Sequence, residues 1–133
     1  RREVAVTVQV EPDLPTVYGN AGHLRQVVLN LLSNAMFSAA GVAGGEVRAS
    51  LARDGQGVRL TITDNGPGFT GDAATHAFDP FFTTKSHEQG TGLGLSIAHR
   101  IVTEHRGTIT AENGANGGAV FCVSLPGLAV PAE

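Results

Sequence analysis

Residues 90–101 read GTGLGLSIAHRI, with Gly90, Gly92 and Gly94 on alternate positions directly ahead of a segment of helical periodicity. Inside a helix each glycine costs up to about 1 kcal/mol against alanine, so their clustering points to a need for bare backbone. A helix N-terminus presents unpaired N–H groups and a partial positive charge, and glycines let phosphate oxygens approach it without a Cβ in the way. A flexible hinge or close packing would give the same pattern. Two familiar phosphate motifs do not apply: G-x-G-x-x-G needs glycine where Leu95 stands, and the only lysine, Lys85, follows Thr84 rather than a glycine. Beyond the glycines, Leu93, Ile97, Ala98, Ile101 and Val102 share one side of a helix that ends at a C-cap, Gly107.

Working outward, Val4, Val6, Val8 and Val10 alternate with smaller or polar residues, the period of a strand with one buried face. Asn20 is positioned to cap a helix over Ala21 to Ala40, whose Leu24, Val27, Val28, Leu31, Leu32 and Ala35 fall in an arc of about 140°. Two strand patterns, Val47/Ala49/Leu51 and Val58/Leu60/Ile62, flank RDGQG, whose Asp-Gly signals a hairpin. Residues 66 to 90 have little periodicity and read as a long functional loop with one short helix near Ala73 to Ala77. Strands near Thr108 to Glu112 and Ala119 to Leu125 close the chain. The order predicts a two-layer α/β sandwich, a mixed sheet of about five strands with helices packed on one face. One domain over 1–126 and a tail over 127–133 are expected.

Composition narrows the function. The 133 residues are 41% hydrophobic and 16% charged, a globular balance able to build a single core. A formal charge of -3 and the lack of a Lys/Arg cluster argue against nucleic-acid binding. The single cysteine, Cys122, sits in the apolar run AVFCVSL and reads as a strand-core thiol in a reducing compartment. No apolar run reaches the length of about 20 residues that spans a bilayer, so no direct membrane contact is expected.

Two further patterns carry chemistry. In TITDNGPGF, Asp64 has the same parity as Val58, Leu60 and Ile62, which places a carboxylate on the apolar face where the strand ends. It serves there either as a turn aspartate or as the acceptor for a ligand donor such as an exocyclic amine, with Gly66 and Gly68 clearing space. Asn30 and Asn34 lie one turn apart on the first helix, beside its apolar arc. Amide oxygens can ligate Mg²⁺ together with substrate phosphates, and polar surface asparagines would read the same.

Taken together, LRQVVLNLLSNA, DNGPGF, FDPFFTTK and GTGLGLSIAHRI resemble, in order and spacing, the N, G1, F and G2 boxes of the ATP-binding catalytic domain of sensor histidine kinases, of the GHKL ATPase superfamily. The resemblance runs from about Val4 to Leu125 and is nearest the nitrogen-regulation and dicarboxylate-sensing branch. It implies Mg²⁺-ATP as cofactor, Asn34 as metal ligand, Asn30 as support for metal or phosphates, and Asp64 as acceptor for the adenine amine. Gly66, Gly68 and Phe69 would shape the adenine pocket. Gly90, Thr91, Gly92, Leu93, Gly94 and Leu95 would face the nucleotide. Residues from about Gly71 to Gln89 would form an ATP lid, with Phe78, Phe81 and Phe82 packing it or meeting the neighbouring domain; Lys85 would reach a phosphate, joining Asn30 and Asn34 as the catalytic set, or be a solvated loop lysine.

The same resemblance implies phosphoryl transfer to a histidine on a separate, upstream dimerisation domain, then to a response regulator, in a cytoplasmic part of a parent protein that can be membrane-anchored. The isolated domain is expected to be monomeric. None of the five histidines has the acceptor's sequence context. Hydrolytic relatives carry a glutamate one turn before the metal-binding asparagine; here that position is Asn30, and Ala21 to Ala40 holds no carboxylate. One departure is Phe37, where many family members have a basic residue. It leaves open a degenerate module that senses nucleotide or binds a partner without phosphotransfer.

Overall fold

In the computed structural model, which describes residues 3–79, 94–115 and 117–127, Asn20 caps the first helix as expected, its side-chain oxygen accepting from the His23 N–H at 2.9 Å. This helix, α1 (Ala21–Ala40), buries Val27, Leu31, Ala35 and Ala39, a stripe spaced at four-residue intervals. The stripe lies on β2 (Glu46–Asp54) and β3 (Gly57–Asp64), which turn into each other at the predicted hairpin, with Asp54 opposite Gly57. The small side chains of Ala35 and Ala39 let the helix sit close to the sheet.

Five strands form one sheet in the order β1-β2-β3-β5-β4, where β1 is Ala5–Val10, β4 is Thr108–Asn113 and β5 is Ala119–Leu125. β1 runs parallel to β2, and the other pairs are antiparallel. The second helix, α2 (Gly94–Glu104), packs against α1 and buries Ala98, Ile101 and Val102. Phe121, Ile62, Val47, Val123 and Leu31 complete the core between the helices and the sheet. The expected mixed five-stranded sheet with helices on one face is the observed one. The short helix expected near Ala73 to Ala77 is a 3-10 turn, Ala73–His76.

His105 ties the two helices together. Its Nε2 accepts from the Asn20 backbone N–H at 3.0 Å, and its Nδ1 donates to the Ile101 carbonyl at 2.8 Å, a pair of bonds that requires the neutral ring protonated on Nδ1.

Three details differ from expectation. The valines of β1 are exposed throughout, Val8 by 63%. They do point to the helix side, since Val6, Val8 and Val10 are in register with Val47, Ala49 and Leu51, but α1 covers β2 and β3 and stops short of the edge. Cys122 is on the opposite, polar face of the sheet, paired with Thr61 and 3.5 Å from its hydroxyl, because Ala119, Phe121 and Val123 take the core parity of β5. At the end of α2 the residue in the left-handed region is Arg106 (φ 63°), not Gly107. Gly107 is needed for a different reason: a Cβ there would collide with the Ser124 carbonyl oxygen.

Candidate active site

β3 ends at Asp64 beside the first residue of β5 and under the C-terminal half of α1. The parity that makes Ile62 fully buried also buries Asp64, which is 2% exposed. Its Oδ1 accepts from the Gly66 N–H (2.8 Å), the Ser38 hydroxyl (3.2 Å) and the Ala119 N–H (3.4 Å). Its Oδ2 is equally buried and has no hydrogen-bond partner among the described residues. Of the two alternatives the sequence leaves open, Oδ1 takes the turn role through the Gly66 N–H, and Oδ2 is left without a donor among the described residues. A buried unpaired acceptor is costly, and a donor brought by a ligand would relieve it.

Asp64 lies in the wall of a cavity of about 390 Å³ that Asn34, Phe37, Ser38, Ala40, Gly41, Pro67, Gly68, Phe69 and Ala119 also line. The volume is within the ordinary range for a small-molecule site. Among these residues there is one carboxylate and no cation, with apolar walls from Phe37, Pro67 and Phe69. Asn34 is half-buried, and its amide makes no hydrogen bond to any described residue. Its oxygen is therefore available to a hard cation, which commonly takes few protein oxygens and completes its shell with water and phosphates. Among the described residues no cluster of three or more His, Cys, Asp or Glu side chains could hold a metal.

Gly66 and Gly68 serve the site differently. A side chain at Gly66 would strike Ser38 of α1, so this glycine lets β3 and the helix close on Asp64. Gly68 has φ 78°, and a Cβ there would come within 2.7 Å of the Asn113 Oδ1. Asn65, between Asp64 and Gly66, clips the loop before β2: its Oδ1 accepts from the Glu46 N–H at 2.7 Å and its Nδ2 donates to the Gly44 carbonyl at 2.9 Å.

Asn30, one turn before Asn34, is committed elsewhere. Its Nδ2 donates to the Gly94 carbonyl at 2.9 Å, and its Oδ1 accepts from Gln26 at 2.8 Å, so it joins α1 to the start of α2. Gly94 opens α2, and Leu95 packs against the core. Lys85, Gly90, Thr91, Gly92 and Leu93 lie outside the described residues, as do Phe81 and Phe82. Phe78 meets Phe121 edge-on at 6.3 Å and lies 5.5 Å from the His99 ring. Sequence reading missed two contributors. Ser38 follows Asn34 by four residues, a spacing that put it on the same side of the helix; Asn113, at the end of β4, gave no signal.

A two-layer domain in which a buried acidic residue at the end of a central strand and a helical asparagine line the same cavity has the architecture of a GHKL fold. The chain belongs to the family of histidine kinase-, DNA gyrase B- and HSP90-like ATPases, whose model matches residues 19–128.

Among its relatives are the two-component sensor PprA of Pseudomonas aeruginosa, 42% identical over 135 residues, and the C4-dicarboxylate transport sensor protein DctB of Rhizobium meliloti, 38% identical over 121. These alignments cover 95% and 91% of this chain but only 14% and 19% of the relatives. Among solved structures, the catalytic domain of histidine kinase ThkA superposes with a TM-score of 0.81 at 32% identity, covering 93% of this chain and 79% of that one. Full-length ShkA, solved in complex with AMPPNP, matches with a TM-score of 0.79 at 32% identity, over 97% of this chain and 27% of that one. The dicarboxylate-sensing branch that the boxes resemble is thus represented among its relatives. No helix among the described residues is long and apolar enough to cross a membrane.

Proposed function

We propose that this chain binds Mg²⁺-ATP and transfers the γ-phosphoryl group to a histidine on a separate dimerisation domain, as the cytoplasmic catalytic part of a two-component sensor kinase. The observation that carries this reading is the Oδ2 of Asp64, buried in the cavity wall without a partner. Such an acceptor suits the exocyclic amine of adenine, and the apolar walls of Phe37, Pro67 and Phe69 suit the faces of the base. Asn34 is the proposed metal ligand, with Asn30 one turn earlier holding the start of α2 in place. Gly90, Thr91, Gly92, Leu93, Gly94 and Leu95, and Lys85 with them, are proposed to meet the phosphates. Bound Mg²⁺-ATP would supply the phosphoryl group and neutralise its charge.

Transfer to histidine is favoured over hydrolysis by the composition of α1. It carries no carboxylate to activate water, and the position one turn before Asn34 is an asparagine already bonded to Gln26 and Gly94. A neutral imidazole needs no base on this helix, because its attacking nitrogen has no proton to lose; positioning is the main requirement. The proposed partners are the acceptor domain and, through it, a response regulator.

Calorimetric titration with ATP, with and without Mg²⁺, tests binding. One-to-one saturation strengthened by the metal is expected, and Asn34→Ala should remove the metal-dependent part while leaving metal-free binding intact. Incubation with an acceptor domain and labelled ATP then tests transfer. Phe37 in the cavity wall favours one alternative, a module that binds nucleotide or a partner without transferring phosphate. Binding without labelling of any acceptor histidine would select it.

A further inference from the structure

Asn113 closes β4, the outer strand of the sheet beyond β5, and its exposed amide is spent on one residue of the cavity wall. The Phe69 N–H donates to its Oδ1 at 2.7 Å, and its Nδ2 donates to the Phe69 carbonyl at 3.0 Å. The side chain therefore pairs with Phe69 as a neighbouring strand would, satisfying both backbone groups. Phe69 itself follows Gly68, whose left-handed backbone brings the chain against this same amide. The Phe69 ring meets the fully buried Phe121 edge-on at 6.0 Å. The wall residue is thus held twice, by Asn113 at its backbone and by Phe121 at its ring.

We infer that Asn113 is a positioning residue for the ligand cavity: it fixes the Gly68–Phe69 wall in the conformation that receives the nucleoside. The inference rests on the reading of the cavity as an adenine site. Asn113 does not line the cavity and touches no proposed ligand group; it acts through Phe69. A surface asparagine without this role would share its amide with water, and its loss would leave binding unchanged.

The experiment compares the chain with Asn113→Ala and Asn113→Asp by calorimetry with adenosine and with ATP, alongside the amide exchange rate of Phe69. Asn113→Asp keeps the acceptor for the Phe69 N–H and sets a carboxylate against the Phe69 carbonyl, so it separates the two bonds. In Asn113→Ala the Phe69 amide should exchange faster, and both ligands should bind about three- to tenfold more weakly by the same factor, as expected when the shared nucleoside wall is loosened. In Asn113→Asp the amide should remain protected while binding still weakens. Faster exchange of Phe69 in Asn113→Ala with unchanged affinity would overturn the inference, leaving a merely structural clip. Loss of affinity for ATP but not adenosine would also overturn it, by moving the effect to the phosphates. A parent chain that binds neither ligand would overturn the adenine reading and this inference together, whereas a binding parent with equally binding variants overturns the inference alone.

Discussion

The two oxygens of Asp64 differ in what they have to accept: Oδ1 takes bonds from Ser38, Gly66 and Ala119, while Oδ2 takes none from the described residues. Asp64→Asn keeps the size of the group and turns one acceptor into a donor. ATP affinity should fall by about 1.5 to 3 kcal/mol, the usual worth of a hydrogen bond to a charged group, or about ten- to a hundredfold. Titration of the folded variant measures this, and undiminished affinity would sink the adenine assignment. His76 gives a separate test. Its ring lies between Asp79 (2.9 Å) and Asp72 (3.4 Å). The hydrogen bond to Asp79 raises its pKa above the usual histidine value of 6.5; burial opposes this, and the charges of Asp72 and Asp79 add to it. The charged ring thus stabilises the 3-10 turn fully below pH 6.5, and that contribution is lost as pH rises through the higher folded pKa. A proton NMR titration should place the His76 midpoint above 6.5, and Asp79→Asn should bring it down. A midpoint that does not respond to Asp79→Asn would refute the attribution.

At the scale of elements, the end of α2 shows a strain that can be released. The Gly107 N–H reaches the Val102 carbonyl at 2.9 Å and the Arg106 N–H reaches that of Thr103 at 3.0 Å, the paired bonds of a Schellman cap with Arg106 in its left-handed position. A side chain there costs about 1 kcal/mol that glycine avoids. Arg106→Gly should stabilise the chain by about that amount and raise the midpoint of thermal unfolding by roughly 3–5 °C; an unchanged or lower midpoint would mean that the arginine stem contributes packing of its own. The sequence announced this cap one residue late, because glycine is the expected occupant and only one stands there. Helices and strands were otherwise legible, since periods of 3.6 and 2 are local properties of the chain. Asp64 was legible for the same reason: its parity with Ile62 put it in the core. Asn113 and the link between His105 and Asn20 were not, because each is a contact across long stretches of chain that leaves no local pattern. Cys122 misled because an apolar run does not reveal which parity faces the helices.

For the molecule as a whole, alternation names a strand's apolar face but does not say whether another layer covers it. α1 reaches β2 and β3, and Val6, Val8 and Val10 of β1 are left bare. From Ala5 to Val10 the strand has no charge, proline or glycine, and one of its hydrogen-bonding edges has no neighbouring strand among the described residues. Proteins usually guard such an edge with lysine, proline or a bulge against sheet-to-sheet aggregation. The consequence is colloidal. At high concentration the isolated chain should self-associate and grow less soluble, and Val8→Lys should suppress this without altering nucleotide affinity, as light scattering against concentration would reveal. Equal scattering from both chains would exonerate the strand; a clear difference would make this valine ladder the first thing to change when preparing the domain for crystals or spectroscopy.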